Sequence, residues 1–145
     1  TTLWPDSGPP DDAVFLGPER DMEGYLLYSM RLDGLDLHGI RVEECSNLQG
    51  IHLRGANLSG AWLRGAMMSG ADLAHADLSG VDLHLAELMG TDLTGASLRG
   101  ARLTGAGLDG ACIDGADFTG ATFDEDTTWP AEFDPVAHGL VEVPL

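Results

Sequence analysis

From Leu48 to Phe123, every fifth residue is large and apolar, and this rhythm narrows the fold more than anything else in the chain. A second series runs two residues before each of these, from Ser46 to Ala121, and 12 of its 16 members are Ala. A third runs two residues after, and 13 of its 16 members are Gly, the exceptions being His75, Leu85 and Glu125. The two remaining positions of each pentad are mostly polar. A period of five suits neither a helix at 3.6 nor a strand at 2, and a heptad reading fails as well. Residues two apart on an extended segment face the same way, so the Ala and Leu series point inward together. Glycine then sits where the chain bends, because a residue without Cβ turns at little steric cost. Four segments and four bends close a square coil, and successive coils stack through backbone hydrogen bonds at about 4.8 Å. The Leu column fills the bore, and a larger residue in the Ala column would overpack it.

The pentads Ala71-Asp72-Leu73-Ala74-His75, Ala76-Asp77-Leu78-Ser79-Gly80 and Ala116-Asp117-Phe118-Thr119-Gly120 carry an A-(D/N)-L-X-X pattern. In this the chain resembles the pentapeptide-repeat family over about two-thirds of its length. The resemblance implies an all-β fold, a right-handed quadrilateral β-helix of about five coils.

Three looser pentads, Met30–Gly34, Leu35–Gly39 and Ile40–Glu44, precede the regular run, and Cys45 is one residue too many before Ser46. The expected organisation is a capping segment at 1–29, a β-helix at 30–125 with a one-residue offset at Cys45, and a C-terminal cap at 126–145. Solenoid ends need caps because they expose core and backbone. A short helix is expected near Arg20–Leu27, and Trp129 and Phe133 are expected to close the last coil. The Trp129-Pro130…Phe133-Asp134-Pro135 tail resembles the ends of actinobacterial members of the family.

Several chemical readings fall away on spacing. Gly105-Ala106-Gly107-Leu108-Asp109-Gly110 spells a dinucleotide fingerprint, but the motif needs a strand before it and a helix after it. The five histidines and two cysteines show no metal-ligand spacing, so neither a metal nor a cofactor is expected. Cys45 and Cys112 fall about three coils apart, too far for a disulfide, and free thiols suit a cytoplasmic protein. No run approaches 18 apolar residues, so no membrane span is expected.

The formal net charge is −17, which disfavours direct binding to nucleic acid or an anionic membrane. Some members of the resembled family protect DNA gyrase by presenting an acidic rod of duplex-like width, so the resemblance implies a DNA-mimic reading. The distribution weakens it. Residues 46–125 carry 10 acids and 4 bases, and more than half of the net charge lies in 1–29 and 126–145. About 23 Å of duplex, at one charge per 1.7 Å, shows roughly 14 charges.

Stacking residues 20 apart maps the surface. Trp62, Asp82, Arg102 and Thr122 form one column, with Arg64, His84, Thr104 and Asp124 beside it. Leu85 stands at the adjoining corner, and Met67 and Met89 lie on the next face. Trp, Arg and Met together are the composition of a protein-binding hot spot. The expected binding patch is therefore Trp62, Arg64, Met67, His84, Leu85, Met89 and Arg102. The favoured function is a non-catalytic scaffold for a protein partner, with a homodimer through a terminal cap also in view. The alternative is a small-molecule binding protein or an enzyme of natural-product biosynthesis or resistance. It would use a cleft between residues 1–29 and the coil, lined by Trp4, Phe15, Tyr25 or Tyr28, with His84, Arg64, Asp82 and Arg102 as its catalytic candidates.

Overall fold

The computed structural model describes residues 29–42 and 44–145. Parallel backbone bridges join Asn47 to Met67, Met67 to Glu87 and Glu87 to Gly107, and the same step of 20 recurs on the other three sides. The chain is thus an all-β, right-handed quadrilateral β-helix. Each side is too short to count as an extended strand. Through the regular part of the coil, one turn holds the next through a repeating set of three bonds. Leu93 N–H donates to Cys112 O at 2.7 Å, Gly95 N–H to Asp114 O at 2.9 Å, and Cys112 N–H to Thr91 O at 2.9 Å.

The bore is packed with side chains. Leu73, Leu83, Leu93 and Leu103 are fully buried, as are Ala56, Ala66, Ala96 and Ala106 around them. Thr91 takes an Ala position, and its hydroxyl donates to Met68 O at 3.1 Å, which removes the cost of burying it. Toward the N-terminal side, a gap of about 20 Å³ lies among Leu32, Leu37, Ile40 and Met68. Small-molecule sites occupy roughly 300–1,000 Å³.

The corners explain the polar position before each Leu. Asp72, Asp77, Asp82, Asp92 and Asp117 each accept the backbone N–H two residues on, at 2.9–3.1 Å. Such Asx turns hold the bend in place. The corner residue itself is left-handed, with φ of 65° at Gly95 and 68° at Gly105. Four described non-glycine corners adopt it too: Ser29 at 56°, Cys45 at 64°, His75 at 58° and Leu85 at 60°.

The bridging step is 21 for Arg41 and Trp62 but 20 for Asn47 and Met67, so the register changes between Arg41 and Asn47. Left-handed corners fall at Gly39 and then at Cys45, which makes this side one residue longer than the others. Cys45 is the corner of that longer side. A second shift occurs near the C-terminus, where Gly107 bridges Thr128 at a step of 21. This shift puts Thr127 in an Ala position and Trp129 in a Leu position. The Thr127 hydroxyl donates to Leu103 O at 2.9 Å, repeating the role of Thr91. The backbone pairing thus continues past residue 125, where the extra residue breaks the five-residue rhythm.

Trp129 and Phe133 then cover the end of the bore. Trp129 meets Phe118 edge-on at 6.0 Å and Phe123 at 5.8 Å between centroids, and Phe133 lies 5.5 Å from Phe118. The chain returns through a single 3-10 turn at Val136–His138. It then pairs β1 (Thr122–Phe123) in parallel with β2 (Val141–Glu142). Among the described residues, no helix is long and apolar enough to cross a membrane. The expected helix near Arg20–Leu27 and most of the 1–29 cap lie outside the described residues.

Candidate binding surface

The stacked column is present and begins one coil earlier than the sequence suggested. Arg41 bridges Trp62, Trp62 bridges Asp82, Asp82 bridges Arg102, and Arg102 bridges Thr122. Arg41 places Cζ 4.4 Å from the centroid of the Trp62 ring. The register shift hid this contact, since the spacing is 21 rather than 20.

Lower in the column, Arg102 Nη1 lies 3.6 Å from Asp82 Oδ2, and Arg102 Nε donates to Thr104 Oγ1 at 3.2 Å. His84 Nδ1 stands 2.7 Å from Thr104 Oγ1 and 2.9 Å from the Thr104 carbonyl. The imidazole is therefore held by the next coil rather than by a carboxylate. Arg64 turns the other way, with Nε 3.6 Å from Glu44 Oε1, beyond hydrogen-bond distance, and no other partner for that atom. His84, Arg64, Asp82 and Arg102, the catalytic candidates, are close in the fold. Their contacts divide between Thr104, Glu44 and each other, and they do not converge on one point.

The apolar members of the patch face solvent. Trp62 is 49% exposed, Leu85 58% and Met89 55%, while Met67 is partly covered. Leu85 is the anomaly. A left-handed backbone costs a non-glycine residue about 1–2 kcal/mol, and its side chain lies over the next corner, where a Cβ built on Gly105 would fall 2.6 Å from Leu85 Cδ2. His75 does the same over Gly95, its Nδ1 2.5 Å from such a Cβ. A leucine thus stands largely in water at a position the repeat gives mostly to glycine. Trp4, Phe15, Tyr25 and Tyr28, the residues of the expected cleft, lie outside the described residues.

The carboxylates of the coil are tuned by the corners. The Thr119 hydroxyl and amide, with Arg99, hold the Asp117 carboxyl down to about 2. The Thr94 hydroxyl and amide lower Asp92, and the His38 side chain and amide lower Asp36. For Asp124 burial pushes upward. The Gly105 amide, the Thr127 side chain and the Asp126 amide outweigh it, so the carboxyl ends below its ordinary value.

Comparison with known proteins agrees with the architecture. The family model for pentapeptide repeats matches eight copies over residues 46–84 and 86–124. A pentapeptide repeat protein from Nostoc PCC 7120 is 36% identical, with 74% of this chain and 84% of that chain covered and a TM-score of 0.47. HetL, a pentapeptide repeat protein involved in heterocyst differentiation regulation in Nostoc sp. strain PCC 7120, is 33% identical, with a TM-score of 0.52. That match covers 68% of this chain and 44% of HetL, so the chain spans less than half of that relative. QnrB1, a plasmid-mediated fluoroquinolone resistance protein, is 17% identical at a TM-score of 0.36, with 85% and 88% covered, which bears on neither partner nor activity. No curated protein matches the chain. With its rhythm, its square coil and the family match over more than half its residues, the chain belongs to the pentapeptide repeat family.

Proposed function

We propose that this protein is a non-catalytic recognition scaffold that binds a protein partner through the two adjoining faces that meet at Leu85, bearing Trp62 and Arg102 on one and Met89 on the other. The observation that carries this reading is Leu85. A chain that could place glycine at this corner instead keeps a strained, 58% exposed leucine, with Trp62 also exposed on the side that this corner ends. Local strain retained for a side chain that stays mostly in water is a signature of function. The filled bore supports the same reading, because chemistry on an open outer face cannot exclude water. Both cysteines are free and exposed, which supports a cytoplasmic setting.

The net charge of −17 favours one specific version, in which the rod presents duplex-like charge to a topoisomerase such as DNA gyrase. Against it, Asp72, Asp77, Asp82, Asp92 and Asp117 have a structural reason to be acidic, since each closes its corner. A supercoiling assay with purified gyrase, with and without a quinolone, decides this version. Inhibition or protection at micromolar protein supports it, and no effect discards it. The scaffold itself is tested by partner capture with wild-type protein and the Trp62→Ala, Leu85→Gly double variant. Loss of the captured partner with the fold intact is the expected result, and undiminished capture rejects the face.

A further inference from the structure

The last coil is finished unevenly. Thr128 N–H donates to Ala106 O and Leu108 N–H to Thr128 O, so the tail continues that side. Val141 N–H donates to Ala121 O, and Gly120 N–H to Gly139 O, so the tail serves those two positions as well. On the side running from Ala111 to Gly115, nothing continues the ladder. Ala111 C=O, Ile113 N–H and Gly115 N–H correspond to Thr91 C=O, Leu93 N–H and Gly95 N–H, which join the preceding turn of this side to the next, and here none has a partner among the described residues. This bare edge forms one wall of a groove of about 610 Å³, and Pro130, Glu132, Phe133 and His138 form the other.

We propose that this edge is a docking slot for an extended, basic peptide of a partner, added as one more parallel strand. An unpaired edge is a template for strand addition, where main-chain bonds give affinity and alternate side chains give specificity. The register specifies the occupant. The residue over Cys112 continues the outward column Asp72, Asp92, Cys112, and the one over Asp114 also projects outward. Asp114 and Glu132 are both exposed at the groove, and residues 126–145 hold four acids and no Lys or Arg, so Lys or Arg fits the outward positions. Inward, a small residue follows Ala111 and an apolar one follows Ile113 toward Phe133. The predicted motif is small–basic–apolar–basic–Gly. This slot is separate from the Trp62 and Leu85 face and stands or falls independently of it.

The probe is a fluorescein-labelled nonapeptide with Ala-Lys-Val-Lys-Gly at its centre, and the control replaces both lysines by Glu. Amide hydrogen exchange by NMR reads the edge directly. In the free protein, Ile113 and Gly115 should exchange far faster than Leu93 and Gly95, whose N–H groups are bonded. Saturation with the basic peptide should slow Ile113 and Gly115 at least tenfold. The acidic control should bind at least tenfold more weakly, and the Asp114→Lys, Glu132→Lys double variant should reverse the preference. Unchanged exchange at Ile113 and Gly115, or equal binding of the two peptides, overturns the proposal. So does protection in the free protein that grows with its concentration, because a second copy then covers the edge.

Discussion

The guanidinium of Arg41 stacks on the indole of Trp62, across the point where the coil changes register. An exposed cation–π pair is worth about 0.5–1 kcal/mol. Arg41→Ala should therefore lower stability by no more than about 1 kcal/mol, and it should leave Trp62 more open to water. Chemical denaturation gives the first quantity, and acrylamide quenching of Trp62 in a background lacking the other tryptophans gives the second. A loss of several kcal/mol would mean that the pair anchors the register shift rather than lying on top of it.

Leu85→Gly reverses the usual expectation for deleting a leucine. The side chain is mostly in water and the backbone is left-handed, with φ of 60°. Relief of about 1–2 kcal/mol of backbone strain is partly offset by the larger conformational entropy of an unfolded glycine, about 0.5–1 kcal/mol. The variant should be stabilised by about 1 kcal/mol in urea denaturation while losing partner binding. Destabilisation by more than about 1 kcal/mol would show that Leu85 is held by packing.

Asp124 is the polar keystone of the C-terminal cap. Its Oδ1 accepts from Gly105 N–H at 2.8 Å and from Asp126 N–H at 3.1 Å, and it lies 3.1 Å from the Thr127 hydroxyl. Asp124→Ala leaves these donors unsatisfied in a buried place, a cost of about 1–3 kcal/mol. Asp124→Asn keeps an acceptor in position and should recover part of that loss. Equal stability of the Ala variant and wild type, measured by thermal denaturation, would contradict the assignment.

Acid should weaken the coil in a defined window. Asp117 titrates at about 2 in the folded chain, against an ordinary value of 3.8. A depressed carboxylate contributes stability above its unfolded value and loses it as pH falls toward its folded value. Asp36, Asp92 and Asp124 are shifted in the same direction. Stability should accordingly be flat above about pH 5 and fall between roughly pH 4 and pH 2. Carbon-detected NMR of the Asp117 carboxyl should place its midpoint near the lower end, and a midpoint near 4 would remove the Thr119 and Arg99 contacts from consideration.

The bore, the corners and the Trp62–Asp82–Arg102 column were legible in the sequence because residues 20 apart must stack once the period is five. Contacts that cross a register shift were not. Arg41 over Trp62, and Thr127 with Trp129 as a further coil step, sit at spacings of 21 that no fixed period finds. Asp72, Asp77, Asp82, Asp92 and Asp117 are legible as part of the repeat, whereas their closing of the turn through the backbone N–H two residues on shows only in the structure. The bare edge at Ala111–Gly115 was invisible for a different reason. Its sequence is that of any other pentad, and only the path of the tail decides which sides are covered.

The most direct test of the scaffold reading is site-specific photo-crosslinking in extracts of the source cells. One variant carries a benzophenone amino acid at Glu87, exposed on the face with Met67 and Met89, and a second carries it at Asp77, exposed on a different side. A single discrete adduct should form from position 87 and not from 77, and unlabelled wild type should compete it away while the Trp62→Ala, Leu85→Gly variant does not. No adduct from position 87, or the same adducts from both positions, would contradict a partner-binding face around Leu85.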